Sequence, residues 1–309
     1  MRWRASMAEP NEATRCGFVA LIGAPNAGKS TLLNQLVGAK VSIVSRKVQT
    51  TRTQVRGIAL TGQTQIIFVD TPGIFAPKRR LDRAMVTSAW GGATDADLIG
   101  VLIDVGRFDH EENTALLEKL VQLKQPKFLI LNKIDTIPKE KLLAITTAVN
   151  EQSKFEATFM VAALTGYGVK DILGWLETRM KPGPWLYPED QISDAPLRFL
   201  AAEITREKIF ERLHDELPYR STVETESWQQ RPDGSVRIEQ TIYVEREGQR
   251  KIVLGEGGQT IKAIGQKARV EIAEAAEAKV HLFLFVKVRE NWSDDPERYR
   301  EMGLDFPKS

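Results

Sequence analysis

Three short runs carry the residue types and spacing that chemistry needs. Gly23-Ala24-Pro25-Asn26-Ala27-Gly28-Lys29-Ser30 is a phosphate-loop pattern that follows the apolar run 18–22 and leads into Thr31, Leu32, Leu33 and Leu36. Glycines let main-chain N–H groups approach phosphate oxygens, and the start of a helix adds positive potential there. Asn26, Ala27, Gly28, Lys29, Ser30 and Thr31 are therefore expected to cradle a nucleotide's phosphates, with Lys29 at the terminal ones and Ser30 on Mg²⁺. Asp70-Thr71-Pro72-Gly73 closes the apolar run 66–69. The Asp70 carboxylate suits a magnesium shell and the Gly73 N–H can sense a γ-phosphate. Asn132-Lys133-Ile134-Asp135 closes the run 128–131. An aspartate there can accept hydrogen bonds from guanine's N1–H and 2-amino group, a donor pair adenine lacks, so the wrong base leaves a buried carboxylate unpaired.

The elements that must position these runs alternate. Apolar segments at 18–22, 66–69, 98–105, 128–131 and 158–163 are separated by helical patterns such as Leu116, Leu117, Leu120 and Leu123. That order predicts an α/β fold of the P-loop NTPase class, with a mostly parallel sheet covered on both faces. Its ligand crevice then lies at the carboxyl ends of the strands, where all three runs sit. Residues 1–16 read as a polar tail, 17–180 as the nucleotide domain, and the proline-rich 181–194 as a linker. Residues 195–309 read as a smaller α+β domain. The 309 residues, 42% hydrophobic and 27% charged, suit two folded domains and argue against disorder. A net charge of +2 announces no general attraction to polyanions, and the lone Cys16 suits a reducing compartment. No apolar run reads as a signal or a membrane span, which excludes secretion and spanning and leaves peripheral attachment open.

The ordered set resembles the translation-factor class of GTPases over 17–180. Carried across by position, Thr51 in Gln49-Thr50-Thr51-Arg52 corresponds to the switch-one threonine on Mg²⁺, with Thr50 as fallback. Ala163 and Leu164 correspond to the loop over the guanine; Ala162 stands where a serine is usual. The set implied for catalysis is Lys29, Asn26, Thr51 and Gly73, with Ser30, Thr51 and Asp70 on the metal. Ile74 occupies the position of a water-orienting glutamine, and an isoleucine cannot orient water. Related enzymes with an apolar residue there use an asparagine at the Asn26 position to ligate K⁺, which implies K⁺ beside GTP/GDP and Mg²⁺.

In the second domain, a Gly-x-x-Gly loop (Gly255, Glu256, Gly257, Gly258) stands between the apolar run 252–254, read as a strand, and a helical pattern. The pattern resembles a KH domain, whose glycine loop clamps single-stranded RNA. Residues 190–309 sum to −4, yet 246–269 sum to +4, so positive charge gathers around the loop. The expected RNA contacts are Arg246, Arg250, Lys251, Gly255, Glu256, Gly257, Gly258, Ile261, Lys262, Ile264, Gly265 and Lys267. Glu256 is an unusual acid for such a loop, and Phe283 and Phe285 read as core before they read as base-stacking residues. Taken with the linker and the run 286–292, the whole resembles the Era family of bacterial GTPases. That resemblance implies a GTP-hydrolysing ribosome assembly factor that binds the 3′ end of 16S rRNA and assists maturation of the 30S subunit. It further implies a cytoplasmic monomer that binds no DNA, with peripheral association at the inner membrane left open. The rival readings are a P-loop kinase for a small molecule and an RNA-binding scaffold with a vestigial nucleotide site.

Overall fold

The structure is a computed structural model that describes residues 14–214 and 216–307. The first sheet uses β1 (Arg15–Gly23), β2 (Val55–Thr61), β3 (Thr64–Asp70), β4 (Leu98–Asp104), β5 (Lys127–Asn132), β6 (Thr158–Val161) and β7 (Lys181–Pro182). Its order is β2-β3-β1-β4-β5-β6, parallel except for β2, with β7 antiparallel to the start of β1. Strands β3 and β4 are buried throughout because helices cover both faces. The side chains of β1 alternate between two cores. Val19 and Leu21 meet α1 (Lys29–Val37) and α5 (Val169–Arg179), while Ala20 and Ile22 meet α2 (Arg80–Asp95), α3 (Glu111–Leu120) and α4 (Lys139–Gln152).

The second sheet has the order β10-β9-β8, with β8 (Ser221–Gln230) and β9 (Val236–Val244) antiparallel and β10 (Val280–Val288) parallel to β9. The hairpin turns at Arg231–Gly234, where Gly234 takes φ +77. One face is covered by α6 (Leu197–Arg212), α7 (Glu247–Leu254) and α8 (Gln259–Ala275), whose Ile209, Val253 and Ile264 meet Ile242 and Val286. A short α9 (Pro296–Glu301) closes the described chain. No helix of the described residues is long and apolar enough to cross a membrane.

Four expectations change. The expected tail ends earlier, since Arg15 and Cys16 belong to β1; residues 1–13 lie outside the described residues. The linker does not hang free. Its first two residues form β7, Gln65 accepts from the Leu186 and Tyr187 N–H groups at 2.8 and 3.0 Å, and the Ile58 N–H donates to Ile192 O at 2.9 Å. Residues 252–254 end a helix instead of forming a strand. They form the last turn of a helix whose start is capped by Gln249 through the Glu245 and Arg246 N–H groups. Phe283 and Phe285 are not core: they stand 41% and 48% exposed on the uncovered face of the sheet.

The two domains touch through the loop before β2 and through α2. Ile43 packs among Ala201, Ile204 and Ile238, while Leu81 and Met85 pack against Trp292 and Tyr299.

Candidate nucleotide site and glycine loop

Strand β1 delivers the phosphate loop, and the backbone demands of that loop explain its residues. Asn26 sits at φ +62 and Gly28 at φ +101, where a Cβ would come within 2.3 Å of Asn132 Nδ2. Gly73 is tight for space as well, since a Cβ there would meet Pro25 at 3.0 Å. Lys29 is buried, and its ammonium donates to Gly23 O and Ala24 O at 3.0 and 3.1 Å. Burial pushes that ammonium down to about 8, with Asp70 opposing the shift.

Around Asp70, at the end of β3, three hydroxyls converge. Ser30, Ser42 and Thr51 lie 2.6, 2.9 and 3.4 Å from Asp70 Oδ2, and Ser30 and Thr51 are 2.9 Å apart. Asp70 Oδ1 is buried with no hydrogen-bond partner, and burial holds the carboxyl above its ordinary value. Hard hydroxyl oxygens gathered at one oxygen of a carboxylate whose other oxygen is unpartnered fit Mg²⁺. Ser42 carried no expectation from the sequence, where it is one serine in a polar loop.

Asn132 joins the loops at the base end. It is buried, donates to Ala27 O at 2.7 Å and accepts from the Ala163 N–H at 3.0 Å. Lys133, at φ +64, donates to Asn26 O at 2.7 Å and to Asp104 at 2.6 Å. Asp135 is exposed beside them, and its carboxylate makes no hydrogen bond among the described residues. The expected unpaired buried acid is thus an open one, because β5 ends at Asn132 and Asp135 lies in the turn beyond it. Ile74 is buried in the core with Ala20 and Ile22, away from any water-orienting role. Asn26 donates its side-chain amide to Arg46 O at 2.9 Å.

Asn26, Gly28, Lys29, Ser30, Thr51, Gly73, Asn132, Lys133, Asp135 and Ala163 line one cleft of about 830 Å³, with Asp70 buried behind Ser30 and Thr51; the cleft also includes Thr31, Arg46, Lys47, Arg107, Leu164, Phe210, Glu211 and His214. The last three belong to the second domain, and sequence reasoning missed them. His214 has no ligand spacing to any partner in the chain, so only the docking of the two domains brings it here.

In the second domain Gly255, Gly257 and Gly258 take φ +73, +56 and +78, which an ordinary residue would resist. Lys251, Glu256 and Lys262 are exposed around this turn with Ile261 half-buried beside them, and Ile252, 56% exposed, joins them unpredicted. Other expected RNA contacts have partners within the protein. Ile264 is 1% exposed in the core, and Gly265 permits close approach to Leu284, whose Cδ1 would lie 3.3 Å from a Cβ. Arg250 is held by Glu247 at 2.7 Å and donates to Val286 O, and Lys267 pairs with Glu211 at 3.2 Å. Arg246 precedes α7, about 12 Å from the loop by helix rise. It lines a separate cavity with Arg79, Arg80 and Arg220.

Comparison with known proteins places this geometry. Residues 18–133 match the 50S ribosome-binding GTPase family and residues 216–293 the KH domain family. GTPase Era of Mesorhizobium japonicum is 68% identical over 295 residues, covering 96% of this chain and 95% of that protein. GTPase Era of Rhizobium meliloti is 66% identical, covering 96% and 94%. A solved structure of Era with MgGDPNP and nucleotides 1506–1542 of 16S ribosomal RNA superposes with a TM-score of 0.89 at 35% identity, covering 94% of this chain and 99% of that one. An Aquifex aeolicus Era variant bound to GDP and AlF4⁻ superposes equally, with the same TM-score, identity and coverage. With relatives this similar along nearly its whole length, the chain belongs to the Era family of GTPases.

Proposed function

We propose that this GTPase acts as a ribosome assembly factor, binding the 3′ end of 16S ribosomal RNA through its KH domain and assisting maturation of the 30S subunit in GTP and GDP states. The observation that carries this reading is the contact between domains. The loop 40–57 and the segment 74–92, which flank the nucleotide rim, are the parts that touch the second domain. The Era relative that holds 16S ribosomal RNA together with a GTP analogue supports the same partner here. The cytoplasm is the place of action that fits, with the protein working as a monomer; attachment to the inner membrane adds nothing to the reading.

Each residue at the rim then has a task. Backbone N–H groups of 26–31 bind the phosphates, and Lys29 supplies positive charge at the β- and γ-phosphates. Ser30, Thr51 and Asp70 would hold Mg²⁺, directly or through water, and the chemistry it would supply there is neutralisation of phosphate charge. The Gly73 N–H reads the γ-phosphate, and Asp135 selects guanine over adenine. Asn132 and Lys133 hold the base loop, with Ala163 and Leu164, against the phosphate loop. On the RNA side, Lys251, Ile252, Gly255, Glu256, Gly257, Gly258, Ile261 and Lys262 form the clamp. Arg246 serves at most a more distant phosphate.

The test is the affinity of the full chain for a 16S 3′-end oligonucleotide, measured with a non-hydrolysable GTP analogue and with GDP. At least a fivefold difference is expected, the low end of ordinary coupling energies, about 1 kcal/mol. Equal affinities would leave two tethered domains without a switch.

A further inference from the structure

The chain from Gly38 to Gln54 forms no helix or strand, so something other than secondary structure must hold Thr51 beside Asp70. Much of what holds it belongs to the second domain. Arg206 of α6 donates to Thr50 O at 2.5 Å, one residue before Thr51. One residue after it, the Arg52 guanidinium enters a cup of backbone carbonyls, with Ser221, Tyr219 and Pro218 oxygens at 2.9, 3.2 and 3.3 Å, and lies 5.4 Å from the centre of the Trp292 ring. Upstream, Glu207 of α6 accepts from the Val44 N–H at 2.7 Å and pairs with Lys40 at 2.6 Å. Thr51 is thus pinned on both flanks by a domain that contributes none of the phosphate loop.

These contacts are poor choices for stability alone. Arg52 is 4% and Arg206 1% exposed, and Arg206 Nη1 has no hydrogen-bond partner. Glu203 pairs with Arg206, 2.7 Å from its Nε, so what is buried is an ion pair with a second guanidinium beside it, and such a group is often no more stabilising than apolar residues of the same volume. Their arrangement makes sense if what they fix, the path of the chain through Thr51, is worth that cost.

We infer that Arg206 of the second domain is a positioning residue of GTP hydrolysis: by holding the Thr50 carbonyl, with Glu207 holding the Val44 N–H upstream, it places Thr51 at the metal. This rests on the reading of Thr51 as a magnesium ligand. The nucleotide site is then incomplete within the first domain, and the seating of α6 sets how well the metal is held.

The experiment uses the full chain and four proteins: the parent, Arg206→Met, Arg206→Lys and Thr51→Ala. Three quantities are read: kcat and KM for GTP, the Mg²⁺ concentration that half-saturates hydrolysis, and hydrogen exchange of amides 44–52 with Mg²⁺ and a GTP analogue. Arg206→Met keeps the apolar stem and removes the donors. Its kcat should fall about ten- to a hundredfold with KM changed less than about threefold, the loss expected for a hydrogen bond to a charged group. The Mg²⁺ requirement should rise and the protection of 44–52 should drop. Arg206→Lys, which keeps a shorter donor, should recover part of each, and it decides the matter if Arg206→Met does not fold. Thr51→Ala tests the underlying reading separately. If it leaves kcat and the Mg²⁺ requirement unchanged, the metal role of Thr51 falls and the inference with it. If Thr51→Ala is impaired while both Arg206 variants hydrolyse like the parent, the positioning role is overturned and the metal role stands.

Discussion

Replacing Asn132 by alanine should loosen the nucleotide rim even though nothing in the structure requires this side chain to touch a nucleotide. Asn132 is 1% exposed, and its amide joins Ala27 O to the Ala163 N–H at 2.7 and 3.0 Å. The alanine variant leaves one buried carbonyl and one buried N–H without partners, at about 1–3 kcal/mol each. The sum is about 2–6 kcal/mol, reduced where the loops relax enough to admit water. A domain of roughly 150–250 residues loses about 2–4 °C of Tm per kcal/mol. The first thermal transition should therefore fall by about 4 °C or more in scanning calorimetry. Guanine nucleotide affinity should fall as well, by at least tenfold, because binding must realign the freed loops. The control is Asp135→Ala. That carboxylate is exposed and makes no hydrogen bond among the described residues, so its loss should leave Tm within about 1 °C while abolishing guanine preference. If Asn132→Ala melts within about 1 °C of the parent, the two hydrogen bonds do not hold the loops together, and the account of the rim is wrong.

Further outcomes follow from the same geometry. Asp135→Asn should shift preference from GTP toward xanthosine triphosphate, whose exocyclic oxygen accepts where guanine donates; strict GTP preference in a competition assay would remove the base-recognition argument. Lys29 sits at about 8 in the folded chain, against an ordinary value of 10.5. Phosphates require the charged form, so GDP affinity should fall as pH rises through about 8, with proton uptake visible in calorimetry across buffers. The sign for folding is opposite: the unfolded chain binds more protons between about 8 and 10.5, so this group makes stability rise with pH in that window. A flat affinity and no proton uptake between pH 7 and 9 would sink the Lys29 assignment. Hydrolysis should run faster in K⁺ than in Na⁺, with the difference lost in Asn26→Ala, because the Asn26 side-chain oxygen accepts no hydrogen bond among the described residues. Equal rates in the two salts would dispose of a potassium role.

The phosphate loop, Asp70 and the Asn132–Asp135 run were legible because their chemistry is local. A strand, a glycine turn and a helix start fall within eight residues of Lys29, and no distant contact is needed to see what they could bind. The period-two run 280–288 was equally plain as a strand, since a half-covered sheet imposes alternation. What that pattern could not give was which face is covered. The helices lie on the Leu284 and Val286 side, so Phe283 and Phe285 face outward. The run 252–254 misled for a related reason, as three consecutive apolar residues fit a strand and a helix end alike; here Val253 and Leu254 meet the core from the last turn of a helix while Ile252 stays exposed.

The sequence by itself determined which nucleotide chemistry is available, because the groups that would grip phosphate, metal and guanine lie in short motifs at strand ends. Tertiary structure decided who holds the metal threonine in place. Arg206 and Thr50 are far apart along the chain, and neither has a local pattern that names the other. The same is true of Ser42 at Asp70 and of His214 at the cleft. A loop without helix or strand takes its shape from whatever packs on it, and here that is a second domain whose place on the first is set by side-chain contacts that no spacing rule encodes.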